Sequence, residues 1–173
     1  APHGLFALPD WQDNLIGLYS FSKSFCIPGH RVGAVTAGEA LVGQIAKVMD
    51  NLQICAPLPP QSALAKAIPA LGDWRRANTR EIADRAAALK EVMAETRGWE
   101  ITALGAYFAF VRHPFGDLSA YDAAHKLARE AGVITIPGSF FGRGLEGYLR
   151  VAFANADVAT IRQLGGRFSV CGG

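Results

Sequence analysis

The sequence predicts an α/β chain in two parts: a lysine-bearing α/β part over residues 1–72, then a smaller α+β lobe over residues 73–173. Three observations lead there. Two short apolar runs flank a loop containing serine, glycine and a single lysine. A long helical pattern follows a proline-rich break, and beyond Gly98 short strand-like runs alternate with helical ones. Half of the 173 residues are apolar and 18% are charged, the balance of an ordinary globular enzyme with a sizeable core.

Residues 15–21 and 32–37 read as short buried strands on either side of the lysine loop. Leu41, Ile45, Val48 and Leu52 recur at helical spacing and mark one face of a helix. The run Pro57-Leu58-Pro59-Pro60 is expected to break the chain before a helix over about 61–71. A longer helix follows from Trp74 to Arg97, with Ile82, Ala86, Leu89 and Met93 inward and a Glu81–Arg85 pair outward. Gly98 ends it.

Strands are expected at 99–103 and 107–112, then a helix capped by Ser119 and closed by Gly132. Strands at 133–136 and 148–154 follow. Asp157 caps a last helix that should stop at Gly165-Gly166. The boundary between the two parts falls near Leu71–Asp73.

A net charge of +2 offers no electrostatic footprint for nucleic acid or an anionic membrane, and no apolar run is long enough to span a bilayer. Cys26, Cys55 and Cys171 are odd in number and widely spaced, which fits reduced thiols in the cytoplasm rather than disulfides or a metal site. The start, Ala1-Pro2-His3-Gly4, has no leader pattern and no initiating methionine, so residues are expected to precede it.

The chemistry gathers in the loop Ser20-Phe21-Ser22-Lys23-Ser24-Phe25-Cys26-Ile27-Pro28-Gly29-His30-Arg31-Val32-Gly33. A lysine amine condenses with an aldehyde, and hydroxyls with a guanidinium hold a phosphate dianion, so the set suits a phosphorylated aldehyde cofactor. A free lysine, with a pKa near ~10.4, is a poor nucleophile at neutral pH, so the site must desolvate it or give it a cationic neighbour. Arg31 supplies the charge, and Leu15, Ile16 and Leu18 the apolar walls. Once released from the aldehyde, the same amine can move a proton at the substrate Cα. Guanidinium geometry favours Arg31 as a bidentate phosphate clamp, with Gly29 and Gly33 allowing close backbone approach. Cys26 reads as a small buried hydrophobe, while Ser22 and Ser24 divide between phosphate binding and turn roles.

A second stretch is Ile136-Pro137-Gly138-Ser139-Phe140-Phe141-Gly142, followed by Gly147-Tyr148-Leu149-Arg150-Val151-Ala152. An arginine inside an apolar strand needs a carboxylate, from another part of the chain or from a ligand.

The lysine loop closely resembles the signature of the class I/II (fold-type I) pyridoxal-phosphate aminotransferases, and the chain resembles the C-terminal half of one. The resemblance implies the C-terminal part of a cofactor-binding large domain followed by a small domain, with homodimers in the full-length protein. It implies Lys23 as the Schiff-base lysine, Ser20 and Arg31 on the cofactor phosphate, and Arg150, in Gly-Tyr-Leu-Arg, on the α-carboxylate of the substrate. Amino acids and 2-oxo acids would be its substrates. Gly105-Ala106-Tyr107-Phe108 resembles a pocket-lining segment, with core packing an equal alternative for its aromatics.

The family's aspartate beside the pyridine nitrogen, its tyrosine and its asparagine lie further upstream than the 22 residues before Lys23, and Asp10 and Asp13 stand too near to replace the aspartate. The chain therefore reads as a fragment with little or no activity alone. A carbon–sulfur lyase, the aminotransferase-like sensor domain of a transcription regulator, and a non-catalytic α+β module are the competing functions.

Overall fold

The computed structural model describes residues 3–171, and the fold divides after Arg76 into two compact units. In the first, α1 (Trp11–Asn14) leads into β1 (Gly17–Ser20), the one-turn helix α2 (Phe21–Ser24) and β2 (Gly33–Thr36). Two longer helices follow, α3 (Glu39–Leu52) and α4 (Leu58–Ala70). β1 and β2 form an antiparallel ribbon with Gly17 opposite Thr36 and Ser20 opposite Gly33.

The expected burial of these strands is not found. Neither carries a buried residue, Leu18 is 79% exposed, and α3 also buries none of its apolar face. The first unit's core is small instead: Phe25, Val32 and Leu64, edged by Phe21, Ile27, Ala56 and Leu71. Cys26, expected inside, is exposed. α4 also begins earlier than expected, at Leu58, because Pro59 and Pro60 fall in its first turn, where the missing N–H has no intrahelical partner to lose.

The helix α5 (Gly72–Glu95) starts in the first unit and runs into the second. There Leu89 and Met93 are buried, Ile82 and Ala86 pack at the core's edge, and Arg85 Nε meets Glu81 Oε1 at 3.0 Å. Gly98 takes φ +80°, and a Cβ on it would lie 2.7 Å from the Pro114 Cβ, so a side chain is refused twice.

The second unit is built on four antiparallel strands, β3 (Glu100–Gly105), β4 (Phe108–Arg112), β5 (Ile136–Pro137) and β6 (Tyr148–Ala152), in the order β3-β4-β6-β5. Period-two alternation splits β4 and β6 cleanly. Ala109, Val111, Leu149 and Val151 face the core, where they meet Leu127, Ile161 and Phe168. Phe108, Phe110, Tyr148 and Arg150 point to the other face and remain partly exposed.

Ser119 caps α6 (Ala120–Lys126), its Oγ accepting from Asp122 N at 3.1 Å, and Gly132 closes the following turn at φ +65°. Asp157 caps α7 (Val158–Arg162), its Oδ1 accepting from Thr160 N at 2.7 Å. That bond holds the carboxyl below the usual carboxylate range. A depressed folded value means the contribution is present above the ordinary carboxylate range and fades as pH falls through it. Asp157→Ala should therefore lower the melting temperature at neutral pH, and the difference from the parent should close in acid. A pH-independent difference in thermal melts would refute this.

The expected stop at Gly165-Gly166 does not occur. The helix α8 (Leu164–Cys171) runs through both glycines and buries Phe168 and Cys171. Tertiary packing overrides propensity here: burial of Phe168 and Cys171 outweighs the cost of two helical glycines, and a Cβ on Gly165 would make only ordinary contact with α5, 3.5 Å from Val92 Cγ1 and 3.6 Å from Thr96 Oγ1. Burial pushes the Cys171 thiol up. Native chain should then react with a thiol reagent at Cys26 and Cys55 quickly, and at Cys171 only after unfolding. Rapid native labelling of Cys171, read by mass spectrometry, would contradict the docking of α8.

Candidate active site

Lys23 sits on the single turn of α2, between β1 and the loop that leads to β2. Ser20 caps that turn, its Oγ accepting from Ser22 N at 3.3 Å, which leaves the hydroxyl proton free to donate to an anion. Ser22 is buried under the turn. Ser24 Oγ is tied to the Tyr19 hydroxyl at 2.7 Å. Both flanking serines thus have turn roles.

Arg31 closes the short 3-10 turn Pro28–His30 in the left-handed region, φ +51° and ψ +49°, and donates through Nη1 to Pro28 O at 2.8 Å. Ser20 and Arg31 line one open hollow of about 410 Å³ with Tyr19, Gly33, Met49 and Gln53. Gly33 is required there: a Cβ would lie 2.9 Å from Tyr19 O across the ribbon. Gly29 meets nothing within 4 Å, so close approach explains the one glycine and not the other. Lys23 is exposed beside this hollow and is not part of its lining.

Arg150 belongs to the second unit. Of the two sources of a carboxylate left open by the sequence, the chain itself supplies none: no acid among the described residues pairs with Arg150. Strand alternation keeps it off the core face. Its guanidinium carbon lies over two rings instead, 4.2 Å from the centroid of Phe108 and 4.9 Å from that of Phe141. Phe110 stands opposite Arg150 in register and stacks on Tyr148 at 5.3 Å. Arg150 Nε is buried and without a hydrogen-bond partner. Such a guanidinium has its faces occupied and its edge ready for a carboxylate. Phe108 thus takes a position that sequence reading left open, and Phe141 was missed. The signal was the shared strand face of Phe108, Phe110 and Arg150.

Gly138 explains the Pro-Gly-Ser corner that carries Phe141. A Cβ there would lie 2.5 Å from Leu145 O and 2.6 Å from Tyr148 O. The chain can fold back onto β6 only without a side chain at this position.

The family model for aminotransferases of class I and II matches residues 7–168. The chain belongs to that family. An aromatic aminotransferase of Arabidopsis thaliana, ISS1, is 27% identical over 163 residues, 90% of this chain and 40% of its own. The transaminase OxyQ of Streptomyces rimosus, which acts on 4-dedimethylamino-4-oxo-anhydrotetracycline, is 32% identical over 155 residues, 84% of this chain and 39% of its own. The crystal structure of Escherichia coli YbdL, a protein with a methionine aminotransferase function, superposes with a TM-score of 0.84 at 25% identity, covering 96% of this chain and 45% of that one. The α/β class holds, and this chain spans about 40% of the length of the curated relatives it matches. The matches support membership of the family, and not the narrower assignment to its C-terminal half. Aminotransferases of this class are pyridoxal-phosphate enzymes. Ser20 and Arg31, a hydroxyl and a guanidinium on one hollow, would suit that cofactor's phosphate. No helix among the described residues is long and apolar enough to cross a membrane.

Proposed function

We propose that the chain is the lysine-bearing part of an amino-acid aminotransferase, moving an amino group from an amino acid to a 2-oxo acid. The observation that carries this is the joint placement of Ser20 and Arg31 in one hollow next to the Lys23 turn. In this reading Arg31 and the Ser20 hydroxyl hold the cofactor phosphate by charge-assisted hydrogen bonds. The Lys23 amine anchors the cofactor aldehyde and then carries the proton at the substrate Cα. Arg150 orients the substrate through its α-carboxylate. When bound, the cofactor supplies the electron sink that makes that proton removable. Residues 1–72 form part of the cofactor-binding large domain and residues 73–173 the small domain, in a protein that works as a homodimer.

We also infer that this chain alone turns over little or no substrate. An amine base works when it is desolvated, and Lys23 and both ribbon strands beside it are exposed. A coupled amino-transfer assay with added pyridoxal phosphate, several amino donors and a 2-oxo acid tests both statements. Keto-acid-dependent transfer, lost on replacing Lys23, supports the function, and robust turnover overturns the inactivity. Pyruvate release from a cysteine conjugate without any keto acid would replace the reading with a lyase.

A further inference from the structure

The surroundings of Arg150 narrow the kind of carboxylate it suits. We propose that this face of the four-stranded sheet selects monocarboxylates with a flat apolar or aromatic side chain, and rejects dicarboxylates. The inference rests on Arg150 being the carboxylate clamp.

Four aromatic side chains share the open face. The guanidinium carbon of Arg150 lies over the rings of both Phe108 and Phe141, Phe110 meets Phe141 edge to face at 6.2 Å, and Tyr148 stacks on Phe110. Phe141 is 49% exposed, so one side of its ring is open to solvent next to the cation it covers. A ligand whose carboxylate pairs with the guanidinium edge must lay its remaining atoms against these rings. Apolar groups gain there by leaving water, and an aromatic ring also gains offset or edge-to-face contact.

A second carboxylate meets the opposite situation. Aromatic faces carry the negative part of the ring quadrupole and repel an anion. The other cation on these strands, Arg112, is already engaged: its Nε lies 3.5 Å from Glu100 Oε2 and its Nη2 donates to the Tyr148 hydroxyl at 3.0 Å. A dicarboxylate would have to break that arrangement to find a partner.

The test is ligand titration of the whole chain by NMR, following backbone amides and the Arg150 Nε–H, with 3-phenylpropanoate, glutarate and neutral 3-phenylpropanamide as probes. The expected result is 3-phenylpropanoate binding about fivefold or more tightly than glutarate, with no binding of the amide. Phe141→Ala should bring the two acids to within about twofold of each other. Glutarate binding as tightly as 3-phenylpropanoate, or a preference that survives Phe141→Ala, overturns the selectivity and leaves the clamp standing. Other outcomes overturn the clamp and the inference with it. One is equal binding of amide and acid; others are acid binding unchanged in Arg150→Gln and acid binding absent from the parent at millimolar concentrations. Arg150→Lys, which keeps the charge and loses the fork, serves if the glutamine variant does not fold, and should weaken the acid without restoring the dicarboxylate.

Discussion

Replacing Lys23 by alanine is expected to abolish the covalent adduct that pyridoxal phosphate leaves on this chain after borohydride reduction. Of the five lysines, Lys23 alone lies within the twelve-residue stretch that contains both Ser20 and Arg31; Lys47, Lys66, Lys90 and Lys126 lie elsewhere in the sequence. At low cofactor concentration, local holding of the phosphate raises the effective concentration of aldehyde at Lys23 alone. Peptide mapping of the reduced parent should find the adduct on Lys23 and almost nowhere else. Arg31→Gln should shift the concentration needed for half-labelling upward by about tenfold or more, because a hydrogen bond to a charged group contributes about 1.5–3 kcal/mol. Ser20→Ala has two effects, since the hydroxyl also caps the turn that carries the lysine. An adduct spread evenly over several lysines, or unchanged labelling in the alanine variant, would remove the basis for placing the cofactor here.

The second large effect is on stability. Phe168 is fully buried, with its ring stacked 4.3 Å from that of Trp99, which in turn meets Phe115 edge to face at 5.5 Å. Phe168→Ala deletes the side chain that holds α8 onto this unit, and such truncations cost about 3–5 kcal/mol. Against the ~5–15 kcal/mol that separates a folded domain from its unfolded chain, the loss is severe. Urea unfolding should be followed through Trp99 fluorescence, with Trp11 and Trp74 replaced by Phe so that the signal reports on the second unit. A midpoint equal to the parent's would mean α8 is not anchored by this ring.

Where an element closes on itself, the sequence was enough to read it. Ser119 and Asp157 cap through side-chain oxygens that accept from backbone N–H groups three residues on, and Gly98 acts through its own φ, so cap chemistry and left-handed geometry placed them without tertiary information. Gly165-Gly166 went the other way, because whether a helix continues through a glycine pair depends on what the residues beyond it bury, here Phe168 and Cys171. The site divided along the same line. Ser20, Lys23 and Arg31 fall within twelve residues of chain, and the folded first unit brings Ser20 and Arg31 to one hollow while leaving Lys23 outside its lining. Arg150 was visible as an anomaly in an apolar strand, but the rings around it were not. Phe108 and Phe141 are brought to it only by the pairing of β4 with β6 and the corner at Gly138. The expected burial of β1 and β2 was not met. Apolar periodicity tells which face seeks cover and is silent on whether the same chain provides it.

The β1–β2 ribbon has a further consequence for the chain in solution. Each strand pairs on one side only, so two rows of backbone donors and acceptors remain available to another chain. The strands read Gly-Leu-Tyr-Ser and Gly-Ala-Val-Thr, with no charge and no proline to act as gatekeeper. Leu18 and Val35 stand directly opposite each other and are open to water, beside the bare apolar side of α3. Strand addition at these edges would satisfy the backbone and dehydrate those side chains in one event. Self-association should therefore grow with protein concentration, begin in the first unit, and leave the charged surface of α5 untouched.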